Sequence, residues 1–507
     1  MSTDASGTPA RYTGFPRDRT PIIGAQNCSE TGTGTETSTR PYASMDGFQF
    51  AFGSTRTRLL RPPRYFGPSR NQIEQAEPLT SSLRYISLFT GAGGLDLGLE
   101  AAGYAPALCV ELDADARATL SRNRPAWTLS DPGDVFQLAD EILLSQAHIE
   151  RREAALVIGG PPCQPFSKAG QWANGAPARL GDSRARTIDR FFDVVGAALP
   201  IGFMLENVPA LLGGDGEVLR VISDHLARIN RVAGTKYAPH VAHVRCERYG
   251  APQVRHRIFI TGTRDGLPFT VPPVVENGDP GGPTRTAWDA IGDLDELQQL
   301  SADLDPSGKW AALLPSIPEG LNYEWHSRAG GGLPIFGHRT RYWSFLLKLS
   351  KERPSWTIQA EPGPATGPFH WRNRLLSIRE LCRLQTFPDD YEIVGSRRSA
   401  VRQIGNAVPS IIGEMLGLEF RRQVLRDPVR TELTLIPPRR RPAPVPEPVS
   451  AVPDRYLRLV GDHRDHPGSG RGPRATLQRD GSQAAEATLN LVRVSDPPPR
   501  TSPYDQS

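Results

Sequence analysis

A cysteine stands between proline residues in the segment GGPPCQPFS, which covers residues 159–167. Proline restricts the backbone, so a cysteine in such a segment can hold its thiol in one direction. A lone cysteine is more often an inert small residue of a core, but clusters of Pro and Gly do not build cores. We therefore predict that Cys163 is a nucleophile.

A carboxyl group at the end of an apolar run is the second reactive candidate. Glu206 follows the residues GFML and precedes Asn207. Apolar surroundings raise the pKa of a carboxyl group, which suits a general acid near neutral pH. A helix cap or a turn residue would have the same local sequence, so this motif alone leaves both interpretations open.

Two arginines alternate in the segment QVRHR, residues 253–257, which leads into the apolar run RIFITG. Alternate residues of a strand lie on one face, so Arg255 and Arg257 are expected to lie together. Such a pair usually marks a solvated edge or a salt bridge. Beside a cleft it more often binds an anion or a substrate carbonyl.

A glycine-rich loop, FTGAGGLD at residues 89–96, follows an apolar run and opens a helical stretch. Glycine lets the backbone approach a ligand closely, and a helix start has free N–H groups. A dinucleotide-binding loop would have a third glycine where Asp96 stands, so this loop suits a cofactor without a pyrophosphate. A tight strand-to-helix turn is the alternative. Carboxylates after two later strand candidates, Glu111 for a ribose and Asp134 for an adenine amino group, favour the cofactor site.

The apolar pattern predicts the framework that brings these motifs together. Short apolar runs alternate with helical patterns, which is typical of an α/β protein with a doubly wound, mostly parallel sheet. Ligands of such sheets bind at the carboxyl ends of the strands, where these motifs lie. The expected strands are 84–89, 106–112, 154–160, 201–208 and 257–262, and the expected helices include 113–123, 187–199, 216–229 and one long amphipathic helix at 403–420.

The order and content of the motifs resemble the DNA (cytosine-5) methyltransferase family of the bacterial restriction-modification type. FTGAGG, GGPPCQPFS, ENV and QVRHR are followed by a variable stretch and then by RELCRLQTFPDDY and QIGNAVPS. The resemblance implies an S-adenosylmethionine-dependent methyltransferase fold with a second, smaller target-recognition domain. It implies S-adenosylmethionine as the cofactor and no metal. The residues that match the cofactor site are Phe89, Gly91, Gly93, Glu111, Asp134, Asn406 and Val408.

For the reaction, the resemblance implies a covalent route at cytosine C5. The Cys163 thiolate would add to C6, Glu206 would hold N3 and the amino group, and Arg255 would bind the O2 carbonyl. Arg257 would support the loop or the thiolate. A cytosine inside a duplex cannot reach such a pocket, so the base must be flipped out.

Sequence choice is expected in the variable region. Residues 264–320 contain ten acidic and three basic residues, whereas residues 321–353 contain six basic and two acidic ones. The basic half suits phosphates and guanine edges, although surface arginines of an arginine-rich chain are the alternative explanation. The residues predicted to contact DNA are Gln164, Ser167, Arg328, His338, Arg339 and Arg341.

Composition limits the class of protein. No run approaches the length of apolar residues that a membrane helix needs, and five dispersed cysteines argue against disulfides and zinc ribbons. We expect a cytoplasmic, nucleoid-associated monomer that acts on double-stranded DNA, with a restriction endonuclease of the same target as a partner. The expected regions are a loosely ordered leader (1–82), a catalytic domain (83–262, completed by 403–422), a target-recognition domain and hinge (263–402) and a Pro/Arg-rich disordered tail (423–507).

Three alternatives remain at this point. A tRNA cytosine-5 methyltransferase of the same lineage would share the motifs, but the long variable region favours DNA. A catalytically silent DNA-binding module would not need Cys163, Glu206 and Arg255 together. A nicotinamide oxidoreductase is the weakest hypothesis, because the glycine-rich loop lacks the third glycine of a dinucleotide-binding motif.

Overall fold

The computed structural model describes residues 83–162, 186–213, 216–272, 284–295, 304–336, 343–440 and 442–461. Several residues named above lie outside this part of the chain. They are Cys163, Gln164, Ser167, His338, Arg339 and Arg341, together with the expected leader and residues 462–507.

The described residues form a six-stranded sheet with the spatial order β2-β1-β3-β4-β6-β5. Strands β1 to β4 are parallel, whereas β6 is antiparallel to both β4 and β5. Only ten residues join β5 to β6, too few for the crossover that a parallel pair requires. The strands are β1 (Leu83–Leu88), β2 (Tyr104–Val110), β3 (Leu156–Gly159), β4 (Gly202–Asn207), β5 (His240–Arg245) and β6 (His256–Thr263).

Helices cover both faces of the sheet, which confirms the predicted doubly wound, mostly parallel α/β fold. Alternate strand residues enter two apolar clusters. Ile86 shares one cluster with the helices Arg186–Ala198 and Glu217–Ala233, and Tyr85 shares the other with the helices Gly94–Ala101 and Ser410–Phe420. The α-helices of the described residues are α1 (Gly94–Ala101), α2 (Ala114–Asn123), α3 (Asp140–Ala147), α4 (Arg186–Ala198), α5 (Glu217–Ala233), α6 (Ala287–Ile291), α7 (Ile378–Leu384), α8 (Arg397–Asn406), α9 (Ser410–Phe420) and α10 (Asp454–Leu457).

The prediction of one long amphipathic helix at 403–420 is wrong. The chain forms two helices there, α8 and α9, separated by residues 407–409. Pro409 has no N–H to continue the helix. The carbonyls of Ile404 and Ala407 accept hydrogen bonds from Gln385 Nε2 instead, at 2.7 and 3.2 Å. Helix α9 is buried on nearly all sides. It packs against α1 and against residues 421–425, which directly follow α9.

Glycines allow α9 to lie directly against α1. A Cβ atom on Gly98 would come within 2.1 Å of the Ser410 carbonyl oxygen, and one on Gly417 within 2.7 Å of Ala102 Cβ. Tyr104 donates a hydrogen bond to the Gly417 carbonyl at 3.2 Å. The C-terminal part of the chain is thereby packed against the helix that follows the glycine-rich loop.

Two further details differ from the sequence-based expectations. The strand expected before Asp134 is a single bridge between Cys109 and Leu129. The tail expected to be disordered from residue 423 is packed on the rest of the chain at 423–440 and 442–461. Val424 is buried in the apolar cluster around α9, and Leu433 and Ile436 pack on it. Fully buried Glu414 also accepts hydrogen bonds from the amides of Thr434 and Leu435.

The variable region is built mostly of irregular segments around an aromatic cluster. Tyr323 and Phe369 are buried members of this cluster, and Trp310, Phe336 and Phe345 pack on it. Aromatic side chains bury a large area each, which suits a body with few helices and strands. No helix of the described residues is long and apolar enough to cross a membrane.

Candidate active site

The glycine-rich loop leaves β1 through backbone angles that are rare for most residues. Phe89 has a φ of 55°, Gly91 of 59° and Gly93 of 77°. Phe89, which has a side chain, adopts this angle at a cost that the surrounding packing must offset. Tyr391 of the PDDY segment supports the loop by donating a hydrogen bond to the Ala92 carbonyl at 2.9 Å.

Glu111 lies directly after β2 and binds the glycine-rich loop. Its Oε2 accepts from the Gly91 amide at 2.6 Å, and its Oε1 accepts from the Asp113 amide at 2.7 Å. Burial raises the pKa of Glu111, and these two amides partly oppose that effect. A carboxylate has about four lone-pair positions, so both oxygens can still accept from ribose hydroxyls.

The segment of Asp134 is packed against the end of β2. A Cβ atom on Gly133 would lie 2.3 Å from the Glu111 carbonyl oxygen. The Asp134 carboxylate accepts from the Phe136 amide at 3.0 Å and from Gln137 Nε2 at 3.1 Å. Its contact with an adenine remains a prediction.

The expected closing motif reaches the glycine-rich loop through its backbone. A Cβ atom on Gly94 would come within 2.4 Å of the Val408 carbonyl oxygen, so this approach requires glycine. The buried Val408 side chain packs with Leu95, and Asn406 is exposed at the end of α8. A Cβ on Gly91 would meet nothing within 4 Å, which leaves one side of the loop open to a ligand. These residues fit a cofactor with a ribose and a planar base.

Glu206 lies at the carboxyl end of β4 and is 8% exposed. Its Oε1 forms a salt bridge with Arg257 Nε at 2.8 Å. Burial raises the pKa of Glu206, and the nearby charges of Arg257 and then Arg255 partly offset this rise. The carboxyl group therefore keeps a proton to a higher pH than an exposed glutamate does.

The segment that leads to Cys163 begins against Glu206. A Cβ atom on Gly160 would lie 2.9 Å from Glu206 Oε2. Asn207 Nδ2 donates to the Pro161 carbonyl at 3.1 Å. The described start of GGPPC is therefore attached to the end of β4, while Cys163 itself lies outside the described residues.

The two arginines of QVRHR have different hydrogen-bond partners, although the charges of both act on Glu206. Strand β6 begins at His256, so Arg255 precedes it and Arg257 lies within it. The guanidinium of Arg255 is 1% exposed and donates to the carbonyls of Gly405 at 2.8 Å and Ile358 at 3.4 Å. Arg255 thus binds the backbone of the returning C-terminal part, and Arg257 is the one that pairs with Glu206.

Sequence reasoning assigned no role to buried glutamines that join the motifs. Gln253 Nε2 donates to Gln385 Oε1 at 3.1 Å, and Gln253 Oε1 accepts from the Ile358 amide at 3.1 Å. Gln385 also binds the turn between α8 and α9, as described above. Their positions inside QVRHR and RELCRLQTF were visible in the sequence, but their mutual contact was not.

Of the residues predicted to contact DNA, Arg328 lies within the described part of the chain. It is exposed at the start of a loop, 327–336, that is closed by a bridge between Ser327 and Phe336. The buried His326 holds this loop through its backbone carbonyl, which accepts from the Phe336 amide at 2.9 Å.

Comparisons with known proteins identify the family of this chain. The family model of C-5 cytosine-specific DNA methylases matches residues 83–420, and the chain belongs to this family. It is 34% identical over 373 residues to the type II methyltransferase M.SacI of Streptomyces achromogenes, covering 67% of this chain and 92% of that protein. It is 30% identical over 353 residues to M1.HphI of Haemophilus parahaemolyticus, covering 66% of this chain and 86% of that protein.

The enzyme class follows from this membership. The protein is a DNA (cytosine-5) methyltransferase of the type II restriction-modification kind that uses S-adenosylmethionine. The predicted family, activity and cofactor are therefore confirmed. The family match also favours DNA over tRNA as the substrate.

Proposed function

We propose that this enzyme methylates C5 of a cytosine flipped out of a specific duplex sequence, through a transient bond between Cys163 and C6. One observation carries the proposal. Buried Glu206, which forms a salt bridge with Arg257, lies against Gly160, three residues before Cys163. A proton donor, a cation and the approach to a thiol thus lie at one end of the sheet.

The role of Cys163 in this proposal is to activate cytosine C5. Cytosine C5 is a poor nucleophile, but addition of a thiolate to C6 moves electron density to C5. S-adenosylmethionine supplies the electrophilic methyl group that C5 takes up. Loss of the C5 proton to a base then expels the thiolate and restores the double bond.

Glu206 and Arg257 lower the cost of that addition. A protonated Glu206 donates to N3, where negative charge develops as the thiolate adds. The raised pKa of Glu206 supports this role, because more of the carboxyl is protonated near neutral pH. We assign the O2 carbonyl to Arg257 rather than to Arg255, since Arg255 binds backbone carbonyls.

The cofactor is bound by the ends of the first two strands. Glu111 accepts from the ribose hydroxyls, Phe89 packs against the adenine, and Gly91 and Gly93 let the backbone approach. Asp134 accepts from the adenine amino group. Asn406 and Val408 complete the site from the turn that follows α8.

DNA is bound between two domains. We assign residues 83–262 with 403–422 to the catalytic domain and residues 263–402 to target recognition and the hinge. Gln164 and Ser167 contact DNA beside the flipped base. The basic part of the variable region, with Arg328, His338, Arg339 and Arg341, reads the sequence.

The biological role proposed is protection of host DNA against a restriction endonuclease of the same target. In this proposal the enzyme is a cytoplasmic, nucleoid-associated monomer. The names of the related type II methyltransferases support this assignment.

The deciding experiment compares the wild type with Cys163→Ser and with Cys382→Ala, a control at a buried cysteine of α7. Duplex DNA containing 5-fluorocytosine should trap a covalent complex with the wild type and the control, because fluorine blocks the final elimination. Cys163→Ser should form no adduct. Bisulfite sequencing of host DNA gives the target. Normal methylation by Cys163→Ser would refute the proposal.

A further inference from the structure

The last described segment of the chain packs on the variable region, although it lies beyond the family match that ends at residue 420. We call residues 442–461 the C-terminal strap. It contacts the variable region through Glu447, Ser450, Tyr456 and Gly461. The strap contains five prolines, and its polar and aromatic groups make defined contacts with the variable region.

The first contact is an ion pair network under the strap. Lys351 is 1% exposed, and its Nζ lies 2.9 Å from Glu319 Oε1 and 3.1 Å from Glu447 Oε1. The backbone amide of Glu447 also donates to Glu319 Oε1 at 2.8 Å. A buried ammonium group requires such compensation. The strap thus supplies one of two carboxylates to a buried cation of the variable region.

The second contact is aromatic. Tyr456 is 4% exposed, and its ring stacks on Trp310 with centroids 5.7 Å apart and an angle of 11°. Its hydroxyl donates to the Lys309 carbonyl at 2.6 Å. The Trp310 ring also lies 5.0 Å from the ring of Phe336. Tyr456 therefore packs on Trp310, and Trp310 in turn contacts Phe336.

Phe336 and its neighbours connect the strap to the loop 327–336, whose exposed first residues include Arg328. Phe336 closes this loop through the bridge with Ser327. At its other end the strap contacts the same loop, because the Gly461 amide donates to the Pro334 carbonyl at 3.2 Å. The strap thus contacts the loop in two ways: indirectly through Trp310, and directly through the hydrogen bond from Gly461 to Pro334.

Residues before the strap attach it to the remainder of the enzyme. The Arg440 amide donates to Asp289 Oδ1 at 2.9 Å, and Arg440 Nε donates to the Asp289 carbonyl at 2.8 Å. Further back, Thr434 is bound to Glu414 of α9, which packs on the helix after the glycine-rich loop. These contacts bind residues 434–440 to α9 and to α6.

We propose that the C-terminal strap is part of the target-recognition body and sets sequence choice by holding the loop 327–336 in position. This inference rests on the proposed function, which assigns DNA reading to the basic part of the variable region. Arg328 reads DNA only if its backbone is held, since hydrogen bonds to base edges tolerate little displacement. The strap acts through Trp310 and Phe336, so Tyr456 is a positioning residue.

The test uses the full chain with Tyr456→Ala, and with Tyr456→Phe and Leu457→Ala as controls. Leu457 is the next residue and is 43% exposed, and phenylalanine keeps the stacked ring. Tyr456→Ala should raise KM for duplex DNA about tenfold and add methylation at sites that differ by one base pair. The kcat at saturating DNA and the affinity for S-adenosylmethionine should not change. Both controls should match the wild type.

Identical KM and methylation patterns in Tyr456→Ala and Leu457→Ala would overturn the inference. If Tyr456→Ala misfolds and no longer binds the cofactor, Glu447→Gln replaces it in the test. Glu447→Gln should also raise KM for duplex DNA and add methylation at altered sites, and wild-type values for both would overturn the inference. Arg328→Ala separates the two hypotheses. A changed pattern in Arg328→Ala with none in the strap variants refutes the strap alone, whereas no change in any of them also refutes the assignment of this region to target recognition.

Discussion

Arg257 Nε lies 2.8 Å from Glu206 Oε1, and the two side chains are 14% and 10% exposed. The pair joins two antiparallel neighbours, because β4 and β6 are adjacent in the sheet. The proton-donor role proposed for Glu206 therefore depends on the charge of Arg257, which lowers the pKa of this carboxyl group. Arg257 is therefore the arginine of QVRHR that forms a salt bridge with Glu206, whereas Arg255 donates to the Gly405 carbonyl.

Arg257→Ala should lower kcat about a hundredfold, as expected when one group that stabilises developing charge is removed. The pKa of Glu206 should rise further, because Arg257 is the main group that lowers it. More protonated Glu206 at a given pH should move the alkaline limb of the kcat profile to higher pH. Steady-state kinetics over a range of pH measures both effects.

Arg255→Ala provides the contrast. Its guanidinium binds the carbonyls of Gly405 and Ile358, which would remain buried without a donor. We expect a loss of about 1–3 kcal/mol in the free energy of unfolding for each carbonyl left unpaired. Urea unfolding of both variants tests this. Equal loss of stability in Arg255→Ala and Arg257→Ala would contradict the division of roles.

Glu111→Gln should weaken cofactor binding while leaving DNA binding intact. The amide has one acceptor oxygen, so it cannot serve the Gly91 and Asp113 amides and a ribose as the carboxylate does. We expect KM for S-adenosylmethionine to rise about tenfold or more. Glu100→Gln, on the neighbouring helix α1, is the control. An unchanged KM would remove Glu111 from the cofactor site.

Asp96→Asn should alter the pH dependence of stability. Burial raises the pKa of Asp96 to about 6, and Tyr85 donates to its Oδ1 at 3.2 Å. The native state holds a proton that the unfolded chain releases, so this stabilisation is present below about pH 4 and is lost as pH rises through 6.

The size of that effect follows from the shift. The wild type should lose roughly 3 kcal/mol relative to Asp96→Asn between about pH 4 and pH 7. Urea unfolding of both proteins across this range gives the difference directly. A constant difference between them would show that Asp96 does not keep its proton in the native state.

Gly98→Ala tests the contact between α1 and α9. Alanine usually stabilises a helix by about 1 kcal/mol relative to glycine. Here its Cβ would lie 2.1 Å from the Ser410 carbonyl oxygen, so the helices must separate and we expect a net loss of about 1–3 kcal/mol.

Gly196→Ala in α4 is the matched control for that variant. Its Cβ would lie 3.2 Å from the flexible side chain of Ile229, which can adjust. Thermal unfolding should therefore separate the two variants clearly. Equal melting temperatures would mean that α1 and α9 are less closely packed than described.

The amino-acid sequence was sufficient for features that depend on neighbouring residues. The apolar runs located five of the six strands of the described chain, and Glu111 and Glu206 lie at strand ends as expected. Strand β5 was missed because its sequence HVAHVR mixes apolar with polar residues and buries only Val244, so it contains no continuous apolar run. Its pairing with β6 is decided by the hydrogen bonds between them.

Partners distant in sequence could not be inferred from the motifs. QVRHR presents two similar arginines, and nothing local indicates that Arg255 binds Gly405, 150 residues later. Likewise, the composition of the segment after residue 423 predicts disorder, but Glu414, Lys351 and Trp310 supply contacts that compensate for it. Composition measures what a segment can bury by itself and contains no information about the surface that receives it.

The sequence by itself determined the reaction class, because the chemistry needs particular residue types at strand ends in a particular order. Tertiary structure alone decided which arginine forms the salt bridge with Glu206, where the helix at Pro409 breaks, and that a segment beyond the family match contacts the loop of Arg328. The physical reason is that a strand end is set by local backbone pattern, whereas a side chain's partner is set by packing between segments far apart in the chain.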